Sequence, residues 1–142
     1  MPDPRPAAPR SKRGRLTRSA DFERVFRKGR SFGNRHLVLH LFPRGDADED
    51  RDPRVGLSVS RRVGGAVERN LVKRLLREAF VEHTGRFPTS VDLVIVARPD
   101  ARELAEREGL SGMVGALREL VDKAVPAAAE ATSSTDDAKG PQ

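Results

Sequence analysis

Apolar positions recur along the 142-residue chain with two different periods. Phe22, Val25 and Phe26 fall at i, i+3 and i+4, one stripe of a helix from about 20 to 28. Ser19 or Asp21 can cap it and Gly29 ends it. Residues 36–43 form an apolar run closed by Pro43 and read as a strand. Residues 54–60 alternate, with Val55, Leu57 and Val59 on one face. Gly56, Ser58 and Ser60 lie on the other, small enough to admit a ligand or a helix. A polar acidic loop, residues 45–53, joins the two runs, so they are expected to pair as a hairpin. Gly64 and Gly65 break the chain before a helix from about 66 to 83, which Gly85 and Pro88 end. Residues 91–97 are the most apolar strand and belong at the centre of a sheet. A short helix from about 100 to 108 is interrupted by Gly109. A last helix from 111 to about 125 carries Met113, Val114, Leu117, Leu120 and Val121 at helical spacing. Residues 1–14, with four prolines, and residues 126–142 read as disordered, leaving one folded domain over 15–125. This order of elements makes an α/β sandwich with helices packed on one sheet.

Composition narrows the chemistry. Hydrophobic residues are 37% and aromatic residues 4% of the chain, so the core must be small. The absence of cysteine excludes disulfides, cysteine-held metals and thiol catalysis. No apolar run has membrane-spanning length, and residues 1–15 lack the apolar stretch of a secretory signal. The expectation is a soluble, cytoplasmic protein with no membrane partner.

Charge is uneven. The net charge is +6, from 27 Lys+Arg against 21 Asp+Glu. Residues 1–30 hold ten basic and three acidic side chains, and residues 54–78 hold seven and two. The loop 45–53 and the segment 100–142 are acidic. A bias toward arginine explains Arg over Lys but not this clustering, which points to an anionic polymer.

The helix at 66–83 concentrates the pattern. At about 100° per residue, Arg69, Lys73, Arg77, Asn70 and Arg74 fall within roughly 140°. Leu71, Val72, Leu75, Leu76 and Ala79 occupy the opposite arc. Glu68 and Glu78 lie off the cationic arc and do not neutralise it. Arg61 and Arg62 add two cations beside the helix N-terminus, a phosphate-friendly place. Arginine offers phosphate a planar fork, and Asn70 can donate to a backbone or base edge. A solvated charged face is the usual explanation of such a run, and the periodicity alone leaves both readings standing.

The stretch Arg54–Phe80, with its Gly-Leu-Ser-Val-Ser strand, two basic residues, Gly-x-Ala-Val turn and Arg-Asn-x-x-Lys-Arg-x-x-Arg helix, resembles the signature of the bacterial ribonuclease P protein component. Arg15-Leu16, Asp21-Phe22, Val25-Phe26, Gly29 and Val94-Ile95-Val96-Ala97-Arg98 are similar to the same family, so the resemblance covers roughly residues 12–122. It implies a two-layer α/β sandwich in the order αβββαβα. The mixed sheet would have about four strands and a left-handed βαβ crossover, of the ribosomal protein S5 domain 2-like type. It also implies a hydrolase subunit that binds one catalytic RNA, in a 1:1 assembly, and the 5′ leader of precursor tRNA. The chemistry of leader removal would belong to the RNA and the magnesium it requires, with no cofactor bound by the protein alone and no catalytic residue in it.

By the same resemblance, Arg61, Arg62, Arg69, Asn70, Lys73, Arg74 and Arg77 face the catalytic RNA. Phe22, Phe26, His40, Ser58 and Ser60 line the leader cleft. Two features depart from the family pattern: Leu71 stands where a third basic residue is frequent, and His40 stands where tyrosine is common. Leu71 lies on the apolar arc and is expected to pack against the sheet. From spacing alone Phe22 and Phe26 are ordinary core residues. The resemblance makes them a pair that can flank or stack on unpaired bases, at about 1–3 kcal/mol per base.

Other candidates carry less. His36 and His40 are about 13 Å apart on a strand, too far for one metal. The acids of residues 46–52 make a solvated turn. No Ser/His/Asp or paired-carboxylate arrangement appears. A general nucleic-acid-binding or ribosomal protein is the competing class, against which the length of the 54–80 motif and the Phe pair argue. A stand-alone nuclease lacks a constellation to work with.

Overall fold

In the computed structural model residues 19–43, 53–87 and 91–133 are described, the last five as backbone. Helix α1 (Ser19–Lys28) leads into β1 (Arg30–Gly33) and β2 (Leu37–Pro43). Strand β3 (Arg54–Ser58), helix α2 (Ala66–Val81), strand β4 (Val91–Ala97) and helix α3 (Asp100–Ser133) follow. The order is αβββαβα, as the family resemblance implies. The expected disordered segment 1–14 and the acidic loop lie outside the described residues.

The four strands form one mixed sheet in the order β1-β2-β4-β3. β1 and β2 make an antiparallel hairpin, β2 pairs antiparallel with β4, and β3 runs parallel to β4. The hairpin expected between 36–43 and 54–60 is therefore not formed. β4 stands between those strands, because Val91, Leu93, Val94 and Ile95 are apolar toward both faces and gain most from a central position. β1 has no apolar alternation and was not legible as a strand. Asn34 fixes the β1–β2 turn: its Oδ1 accepts from the His36 and Leu37 backbone N–H groups at 3.0 and 2.9 Å, and its Nδ2 donates to the Ala116 carbonyl at 3.0 Å.

Alternation along the strands divides the core. Leu37, Leu39, Leu41, Leu93 and Ile95 face α2 and α3 and build the main core with Val72, Leu76, Met113, Leu117 and Leu120. Val94 faces the other way, where Val25 of α1 covers it. Among the described elements α1 is the one that packs on this face of the sheet, where His40, Phe42, Val96 and Ser58 stay partly exposed.

Gly29 lets α1 turn sharply into β1. A Cβ there would sit 2.5 Å from both the Leu41 and Val25 carbonyl oxygens. Gly109 breaks α3 where the sequence expects an interruption. Its φ of 61° is in the left-handed region glycine adopts readily. Where a disordered tail was expected from 126, α3 continues through Pro126 to Ser133, and the rest of that segment lies outside the described residues. Ala124 and Ala128 extend the buried stripe of Leu117, Leu120 and Val121, and alanine is the best helix former. These gains offset the backbone hydrogen bond that Pro126 cannot make.

Beyond α2, His83 is buried and its Nε2 has no partner among the described residues. Burial lowers its pKa below the usual 6.5. The Val114 backbone opposes that shift, and the nearby Arg86 and Arg118 reinforce it.

Candidate nucleic-acid interface

α2 packs chiefly against α3. Val72, Leu75, Leu76, Ala79 and Phe80 are buried, and Leu71 is half-buried against the same core. The apolar arc read from the sequence is the arc that packs, and Leu71 belongs to it. On the other side Asn70 and Arg74 are exposed, while Arg69, Lys73 and Arg77 are half-buried.

The turn before α2 presents its cations by a simple device. The Val63 side chain is 2% exposed and anchors the turn from within. The Val63 N–H donates to the Ser60 carbonyl at 3.0 Å, and the Arg62 N–H donates to the Ser60 Oγ at 3.2 Å. Arg61 and Arg62 are left exposed beside the start of α2. Glu68, the acid of the first helical turn, accepts from the Gly65 N–H at 3.0 Å and so closes the helix N-terminus.

Among the described residues, none of Arg61, Arg62, Arg69, Lys73 and Arg74 pairs with a carboxylate. Arg77 has an interaction of its own within the protein. The Arg69 Nε is buried and has no acceptor among the described residues. Unpaired guanidinium and ammonium groups at this density favour an anion able to contact several of them.

The second group of predicted residues lies on the α1 face of the sheet. Phe22 is half-buried and packs with Val25 against Val94, together with Phe42 and Val96. Phe26 is 43% exposed and meets His40 edge to face, with ring centroids 4.8 Å apart. Burial lowers the His40 pKa. Pairing registers set the floor: His40 is flanked by Ser31 and Val94, and Ser58 lies beside Val96. Phe26 and His40 are in direct contact, Phe22 lies beside Phe26 on the same face, and Ser58 shares that face across β4. Ser60 is past the end of β3, and its hydroxyl belongs to the Arg61–Arg62 turn.

Two residues have a place at the site that the sequence did not show, Arg98 having entered only as part of the family motif. Arg98 is exposed just after β4, its N–H donating to the His36 carbonyl at 2.9 Å. Strand alternation puts it on the face that carries His40 and Val96. Asp92 is fully buried within β4 and accepts from Arg54 at 2.9 and 3.0 Å. Arg24 of α1 reaches Asp92 at 3.9 Å, pairs with Asp21 at 2.6 Å and lies over the Phe42 ring. This alternation of charges ties α1 to the sheet and thereby sets the position of Phe22 and Phe26. The available signal was an acid within an otherwise apolar strand.

Among the described residues no three His, Cys, Asp or Glu side chains cluster to hold a metal ion, and no helix is long and apolar enough to cross a membrane. Fold and surface together define a small basic α/β protein with a row of cations that lack carboxylate partners among the described residues. The family model for ribonuclease P matches residues 11–123. A ribonuclease P protein component of Shouchella clausii is 43% identical over 102 residues, covering 72% of this chain and 81% of that one. One from Halalkalibacterium halodurans is 44% identical over 93 residues, covering 66% and 76%. The solved RNase P protein of Staphylococcus aureus superposes with a TM-score of 0.66 at 32% identity, covering 78% of this chain and 94% of that one. The Thermotoga maritima RNase P protein gives 0.67 at 30% identity, covering 77% and 96%. The chain belongs to the ribonuclease P protein family, the protein components of the ribonucleoprotein endoribonuclease of tRNA processing.

Proposed function

We propose that the chain binds the catalytic RNA of ribonuclease P along the cationic face of α2 and holds the 5′ leader of precursor tRNA against the α1 face of the sheet. Arg61, Arg62, Arg69, Lys73, Arg74 and Arg77 contact phosphates, and Asn70 donates to a backbone or base edge. Phe22, Phe26, His40 and Ser58 take the single-stranded leader, with Arg98 at one end of the cleft. Protein and catalytic RNA assemble 1:1 in the cytoplasm. The RNA and its magnesium ions cut the leader from the tRNA. In this reading the protein's part is to bind and orient.

The observation that carries this reading is that Arg61, Arg62, Arg69, Lys73 and Arg74, on α2 and its preceding turn, have no carboxylate partner among the described residues. Stacking by the exposed Phe26 ring supplies sequence-tolerant grip on a single strand. The test is reconstitution with a bacterial ribonuclease P RNA and precursor tRNA at low magnesium. The protein should stimulate 5′ maturation and favour leader-bearing over leaderless substrate. Phe26→Ala should keep catalytic-RNA binding and lose about 1 kcal/mol or more of the leader preference. Failure to bind the RNA or to stimulate maturation contradicts the reading.

A further inference from the structure

We infer that His40 couples the grip on the leader to a proton, becoming an imidazolium when the anionic strand enters the cleft. This rests on the leader reading above and adds a property of that same site. His40 lies on the cleft floor, under the exposed Phe26 ring and between Ser31 of β1 and Val94 of β4. None of these neighbours is charged. The acid of the adjoining row, Asp92, is already held by Arg54 and approached by Arg24. Toward the other end the same face carries His36 and the cation Arg98. On α1, Glu23 lies beside Phe22 and Phe26 but exerts no influence on the His40 ring, so no described carboxylate of the cleft holds a charged imidazole there.

The free cleft keeps His40 neutral, since burial lowers its pKa and no other influence offsets it. A phosphodiester arriving beside it supplies the missing negative charge and favours the protonated ring. The sign follows from linkage. A group whose pKa is higher in the complex than in the free protein strengthens binding as pH falls through the bound-state value. The gain is complete below the free-state value. Each unit of pKa difference is worth tenfold in affinity.

The test uses the full chain assembled with catalytic RNA. The affinity ratio of leader-bearing to leaderless precursor tRNA is measured from about pH 8 to pH 5.5, across the ordinary histidine range. The ratio should rise several-fold toward acid in the wild type and in His36→Gln, and stay flat in His40→Phe, which keeps a ring without a proton. A second reading does not depend on a variant: NMR titration of the wild-type imidazole should show the His40 pKa raised by a single-stranded leader oligonucleotide. A flat wild-type ratio, an undiminished slope in His40→Phe, or an unmoved imidazole titration overturns the proton coupling. A wild-type assembly without any leader preference overturns the leader reading as well, which separates the two failures.

Discussion

α2 and α3 lie side by side over the same core, yet their surfaces treat charge in opposite ways. On α3 two of the three arginines meet acids, Arg102 with Glu106 at 3.2 Å and Arg107 with Glu103 at 3.4 Å and Glu108 at 3.3 Å, while Arg118 has no such partner among the described residues. Asp122 of α3 also takes Arg86, at 2.9 Å. On α2 and its turn, Arg61, Arg62, Arg69, Lys73 and Arg74 have no such partner among the described residues. α3 has the ordinary solvated face, in which exposed pairs contribute little and repulsion is avoided. α2 tolerates repulsion of a few tenths of a kcal/mol per pair. Charge density alone does not separate the two helices; the pairing along Arg102–Glu108 of α3 and its absence at the described cations of α2 does.

Charge reversal should break this contrast most strongly. Lys73→Glu with Arg74→Glu should weaken binding to the catalytic RNA on the order of a hundredfold or more, since two charge-assisted contacts are replaced by repulsion. Reversing Arg102 and Arg107 on α3 should change it little in filter-binding or fluorescence titrations. Comparable losses from both helices would mean that net charge, not the α2 row, governs binding.

The next effect concerns the scaffold of the cleft. Asp92→Ala leaves Arg54 and Arg24 without their buried acceptor and should destabilise the fold by about 3 kcal/mol in urea unfolding. Removing the exposed Arg102–Glu106 pair should cost under about 1 kcal/mol. Equal costs would contradict the anchoring role given to Asp92.

The smallest effect tests the junction of α2 and α3. The His83 pKa is lowered in the folded protein, so the unfolded chain binds the extra proton first. This group's contribution to stability is intact above about pH 6.5 and declines as pH falls from there through the folded-state value. His83→Gln should therefore lose less stability than the wild type between pH 7.5 and 5.5, as followed by thermal unfolding. Parallel pH profiles would show that His83 protonates as freely in the fold as outside it.

Local periodicity made much of this legible. β4 and the two faces of α2 follow directly from hydrophobic spacing, because each pattern is long and unbroken. β1 was not legible, since Arg-Ser-Phe-Gly at a sheet edge has one apolar side chain and no alternation. Strand adjacency misled: β2 and β3 are neighbours in sequence, but β4 takes the place between them, a long-range contest that spacing does not encode. In the candidate site, the α2 row was readable because all its members share one helix. The cleft was not, because Phe22 and Phe26 have the spacing of core residues. Only the packing of α1 shows Phe22 half-covered and Phe26 open beside His40. Asp92 gave one weak signal, whose meaning required partners on α1 and β3.

The salt dependence of catalytic-RNA binding tests the central claim most directly. Log affinity against log salt should be steep for the wild type, and shallower by about two for a variant in which Lys73 and Arg74 are both alanine, at close to one unit per lost phosphate contact. Alanine at Arg102 and Arg107 should leave the slope as it was. An unchanged slope on removing the α2 cations, or an equal fall on removing those of α3, would contradict the account.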